Sequence, residues 1–136
     1  MNIRTILLPL ATTAAFAVAA CGSDSKTDEA AETSTSSAVA RAEAGATSIA
    51  LVEAVGSYRA GDRQRALGQA SEAYLQHFEH VEAALDRRDH ELNERLEEAI
   101  RDELRAAMRR GAPAAEVTAL LRRIVRDLAT AQAKLK

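Results

Sequence analysis

An all-α fold follows from three features of the 136-residue sequence. Hydrophobic residues make up 47% of it, yet only two Phe, two Tyr and no Trp supply aromatics. Such a profile is poor in the residues that build sheets and rich in helix formers. Two Pro and six Gly leave room for long, uninterrupted helices. Apolar residues also recur at helical spacing through most of the chain. The predicted architecture is an antiparallel up-down four-helix bundle over residues 38–136. A three-helix bundle with a looser first helix is the variant, because Gly45, Thr47 and Ser48 weaken the start of that helix.

The elements are predicted in chain order. A first helix spans residues 38–59, with Ile49, Val52, Val55 and Tyr58 inward. Gly61 offers a stop and Asp62 an N-cap for a second helix reaching residue 87. Its inward positions are Leu67, Ala70, Tyr74, Phe78, Val81 and Leu85. Asp89 caps a third helix whose inward face is Leu92, Leu96, Ile100, Leu104 and Ala107. Gly111 and Pro113 punctuate the entry to a fourth, carrying Val117, Leu120, Leu121, Ile124, Leu128, Ala131 and Leu135. Turns this short force sequence neighbours to run antiparallel.

Ahead of the helices the sequence changes character. Arg4 lies in a short positive start, and residues 6–20 carry no charge, a length that suits a signal-peptide core better than a bilayer span. The run ends Val18-Ala19-Ala20-Cys21-Gly22 and contains the chain's one Cys. This arrangement resembles the lipobox of bacterial lipoproteins. The resemblance implies removal of residues 1–20 and lipidation of Cys21. Two acyl chains there would hold the protein stably on a membrane of the bacterial cell envelope, facing the periplasm or the exterior. Residues 22–37, rich in Ser, Thr, Asp and Glu, lack large apolar side chains and are predicted to form, with Cys21, a flexible tether over 21–37.

Charge and cysteine usage narrow the function. With 18 basic and 20 acidic residues the net charge is −2, which provides no electrostatic case for nucleic acid. One Cys excludes an intramolecular disulfide and a CxxC zinc or redox site. No phosphate loop, cofactor fingerprint or nucleophile–base set is present, so the chain is not expected to be an enzyme.

Candidate chemistry concentrates in Tyr74-Leu75-Gln76-His77-Phe78-Glu79-His80-Val81-Glu82. Glu79 and Glu82 project about 60° apart on a helix, and Glu82 falls near the apolar stripe of Phe78. A carboxylate there needs a base, a hydrogen bond or a metal. Glu97 and Glu103 could face it from the third helix, whereas Arg87, Arg88, Arg95 and Arg101 could instead neutralise these acids as surface ion pairs. Neither Glu-x-x-His nor His-Glu-x-x-His occurs, which disfavours a di-iron oxidase and a zincin alike.

The order Gly61-Asp62, Ala73-Tyr74, Phe78-Glu79-x-x-Glu82, Leu85, Asp89, Leu92, Glu97, Arg110-Gly111-Ala112 and Glu116-Val117 covers about residues 48–135. It resembles the extracytoplasmic helical domain that precedes the membrane part of many bacterial high-affinity iron permeases. The resemblance implies ferric iron as cargo, held by Glu79 and Glu82 with Glu97 facing them, and an iron permease as partner. His80 is an added candidate ligand, and with His77 it leaves copper open as the alternative metal. The permease's own membrane segments are missing from this sequence, so the chain is expected to serve as a lipid-anchored accessory protein. The competing expectation is an envelope adaptor that binds another protein through a helix face and holds no metal.

Overall fold

The computed structural model describes residues 25–136, with side chains from residue 36 onward. The predicted signal peptide and Cys21 lie outside the described residues. Four helices follow one another: α1 at Ser25–Arg59, α2 over residues 63–86, α3 over residues 90–109 and α4 at Ala114–Lys134. They form an all-α antiparallel bundle in which α1 packs against α2 and α4, and α3 packs against the same two from the opposite corner.

Each turn has a local cause. Gly61 and Gly111 adopt φ of 89° and 72°, a left-handed conformation that costs a residue with a Cβ about 1–2 kcal/mol. Asp62 accepts from the Arg65 amide and Asp89 from the Leu92 amide, both at 3.0 Å, and so cap α2 and α3. Pro113 holds the N-cap position of α4, one residue before the first helical turn. The Tyr58 hydroxyl donates to the Ala112 carbonyl at 2.6 Å, tying the end of α1 to the α3–α4 turn.

Phe78, Leu51, Leu85, Leu92, Leu96, Ile100, Leu104, Met108, Ile124, Leu128 and Leu135 are almost wholly buried. Between them, Ala44, Ala54, Ala66, Ala70 and Ala107 are fully buried where helices approach one another. The inward faces predicted for α2, α3 and α4 coincide with this core, except that Leu67 and Leu120 are only partly buried.

Two expectations for α1 need correcting. Ile49 and Val52, predicted inward, are 65% and 53% exposed. Steps of three residues drift round a helix by about 60° each, so a 49-52-55-58 stripe cannot stay on one face. The true inward row is Ala40, Ala44, Thr47, Leu51, Ala54, Val55 and Tyr58, and its alanines concealed it among the chain's many others. The helix also begins at Ser25, ahead of Ala38 and inside the stretch read as a tether. Glu29-Ala30-Ala31-Glu32 is a run of good helix formers there.

Neither α2 nor α3 is uniformly α-helical. A π-helical turn occupies Tyr74–Phe78 in α2, and another occupies Glu98–Leu104 in α3. Each accommodates a surplus residue while the flanking α segments keep their core faces in phase. Turns of this kind are frequent at functional sites.

Candidate functional site: a tyrosine–carboxylate cluster between α2 and α3

The π turn in α2 determines which side chains meet. An α-helix repeats every 3.6 residues and a π turn takes about 4.4, so one of each spans about eight residues. Positions 74 and 82 therefore lie on one face. The Tyr74 hydroxyl donates to Glu82 Oε1 at 2.6 Å. Tyr74 is 8% exposed and its ring packs against Phe78 at 5.8 Å between centroids. Glu82 is half-buried, as its place beside the Phe78 stripe required.

The third helix closes the cluster. Glu97 bears on the Tyr74 hydroxyl electrostatically, and Arg101 approaches it from the same helix. Glu97 and Arg101 form an ion pair one turn apart, and Arg101 also reaches Asp102 at 3.4 Å. Burial pushes the Tyr74 phenol well above its ordinary range. The hydrogen bond to Glu82 and the charges of Glu82 and Glu97 push in the same direction, while Arg101 opposes them. Arg101 in turn is held more firmly charged by Glu97 and Asp102. Glu94, Glu97, Glu98, Arg101 and Asp102 line an open concavity of about 430 Å³ beside the second π turn.

The predicted ligands divide into two sets. Glu82 and Glu97 belong to the cluster. Glu79 and His80 are exposed and stand outside it. Glu79 precedes Glu82 by three residues, and that rotation of about 60° carries it from the interhelix seam to solvent. Among the described residues no group of three or more His, Cys, Asp or Glu side chains is placed to hold a metal ion. Glu103 pairs with Arg123 across α3 and α4. His77 has a different occupation: its Nδ1 lies 2.8 Å from Glu43 Oε2, which ties the π turn to α1. His90, at the start of α3, pairs with Asp86 and Glu94.

Tyr74 and Arg101 are the members that residue patterns did not single out as site residues. Tyr74 read as an ordinary core position at helical spacing. Its separation of eight from Glu82 becomes meaningful only once the extra residue of the π turn is known. No protein-family model, curated protein or solved structure shows a significant match to the chain.

Proposed function

We propose that this protein is a lipid-anchored, extracytoplasmic accessory protein that captures ferric iron as cargo and passes it to a membrane permease. The observation that carries the reading is the Tyr74–Glu82 hydrogen bond, with Glu97 beside it at a pair of π turns. Phenolate and carboxylate oxygens are hard, anionic donors, and a small, highly charged cation is what such a set suits. In the metal-free arrangement the phenol proton and the Arg101 guanidinium supply the positive charge that Glu82 and Glu97 require. Cargo binding would displace both, releasing a proton from Tyr74 and freeing Arg101. Few protein ligands and an open concavity favour transfer over storage. Glu79 and His80 sit on the adjacent exposed surface, where they would meet incoming metal before the cluster does. The proposed anchor is the lipid on Cys21, with residues 1–20 removed.

Titration calorimetry with a chelated ferric salt tests the reading on the chain from residue 21, which contains every described core residue. Wild type is expected to bind with proton release, and Glu82→Gln with Tyr74→Phe to lose the heat. Equal heats and stoichiometry in both proteins would end the iron assignment. Cupric binding that depends on His77 and His80 alone would replace iron by copper.

A second reading, the metal-free envelope adaptor, is favoured by one separate observation. Val39, Ile49 and Val52 on α1 and Leu75 on α2 are all more than half exposed. Ile49 and Val52, one turn apart on α1, offer an apolar surface of the kind that protein contacts use. In-cell crosslinking from position 52 that captures a partner in the absence of any metal dependence would favour the adaptor.

A further inference from the structure

One end of the bundle is rich in arginine. The α1–α2 and α3–α4 turns lie at the same end, and that end carries Arg59, Arg63, Arg65, Arg109, Arg110 and Arg122. Asp62 and Glu116 are the acidic residues nearest the two turns, in a chain whose net charge is −2. Of the six, Arg110 alone makes an ion pair among the described residues, with Glu116. Asp62 is already committed to capping the Arg65 amide.

The unpaired arginines converge in space. Arg59 from α1 and Arg122 from α4 line one open concavity of 370 Å³, with Thr118 and the small Ala114 and Ala115 as its floor. The Arg63 guanidinium lies over the neighbouring turn so closely that a Cβ on Gly111 would sit 2.9 Å from Nη1. Cationic side chains that share one concavity without a counter-charge repel one another. An anion bound among them removes that repulsion.

We infer that this arginine-rich tip binds phosphate groups, with the Arg59–Arg122 concavity as its centre. A guanidinium presents a planar fork that matches phosphate oxygens in pairs. A phosphate group carrying up to two negative charges satisfies two such forks at once, whereas one carboxylate satisfies a single fork. The floor of alanines lets a tetrahedral group approach the backbone. The tip lies at the opposite end of α1 from its N-terminus, so a lipid anchor on Cys21 would leave it presented away from the anchoring point. Phosphate in the envelope comes from lipid headgroups or from soluble phosphate compounds, and both share this chemistry.

The test uses the isotopically labelled chain from residue 21, titrated with pyrophosphate, with citrate and with vesicles of phosphatidylglycerol or phosphatidylcholine. Saturable shifts of the Arg59 and Arg122 side-chain signals and of the amides of residues 114–118 are expected. Arg59→Gln with Arg122→Gln should weaken binding by about tenfold or more, as loss of two charge-assisted contacts requires. Lys134→Gln, at the other end, should leave it unchanged, and circular dichroism checks that all variants remain folded. Binding to pyrophosphate identifies soluble phosphate as the source, and binding to phosphatidylglycerol vesicles alone identifies headgroups. Citrate binding as tight as pyrophosphate, equal shifts at Arg87 and Arg88, or no saturable response to any of the four would overturn the inference.

Discussion

Tyr74 illustrates how one side chain can report on a whole cluster. Its phenol is held in the protonated form by burial, and the neighbouring Glu82 and Glu97 charges reinforce the effect. A folded-state value raised above the unfolded one means that folding favours the bound proton. The associated stability is therefore complete below the ordinary tyrosine range near pH 10 and is lost as pH rises beyond it. Ultraviolet titration should show one of the two tyrosines ionising well above that range. Glu82→Gln should bring this tyrosine part of the way down, because the charge goes while the burial stays. An unchanged midpoint would mean that Glu82 does not act on the phenol. Residue types pointed to Glu82, since a carboxylate near an apolar stripe demands a partner, while the resemblance selected Glu97 from the acids of α3. Residue types could not identify Tyr74, whose role depends on backbone phase.

The helices show which features short-range chemistry makes legible. Asp62, Asp89, Gly61 and Gly111 could be recognised because caps and left-handed turns act within a few residues of themselves. The lowered carboxyl of Asp89 follows from the amide it caps and from Lys134, at 3.0 Å. Its contribution is present above the ordinary carboxylate range and is lost as pH falls through the lowered value. Asp89→Ala is expected to lower the urea midpoint at neutral pH, an effect that shrinks in acid. A π turn leaves no such local mark. It follows from the requirement that Ala66 and Leu85 both face the core, nineteen residues apart where five α turns take about eighteen. Deleting exposed Gln76 should convert that turn to an α-helical one and leave both flanking core faces in phase. Helix content should persist, and the raised Tyr74 titration with it, because the seven remaining steps span about two α turns and keep Glu82 on the Tyr74 face. A midpoint that falls to the ordinary range would show that the pairing needs the π turn itself.

For the whole molecule, the distribution of burial distinguishes the residues that hold the bundle together from those left for contact. The four-helix topology was readable because Leu, Ile and Val mark three of the four inward faces. The fourth face, on α1, is built largely from alanine, which is equally common outside, and so Ile49 and Val52 attracted the assignment instead. Adjacent residues on α1 now make a sharp comparison. Leu51 is fully buried and Val52 is 53% exposed. Leu51→Ala should therefore cost about 2–5 kcal/mol, combining lost transfer energy with a cavity that rigid neighbours cannot fill. Val52→Gln should change stability by no more than about 0.5 kcal/mol, because it removes little buried surface. Paired urea melts of the two variants decide the point. A large loss for Val52→Gln would mean that the outer face of α1 is covered in the free protein, which would withdraw the observation favouring a contact surface there.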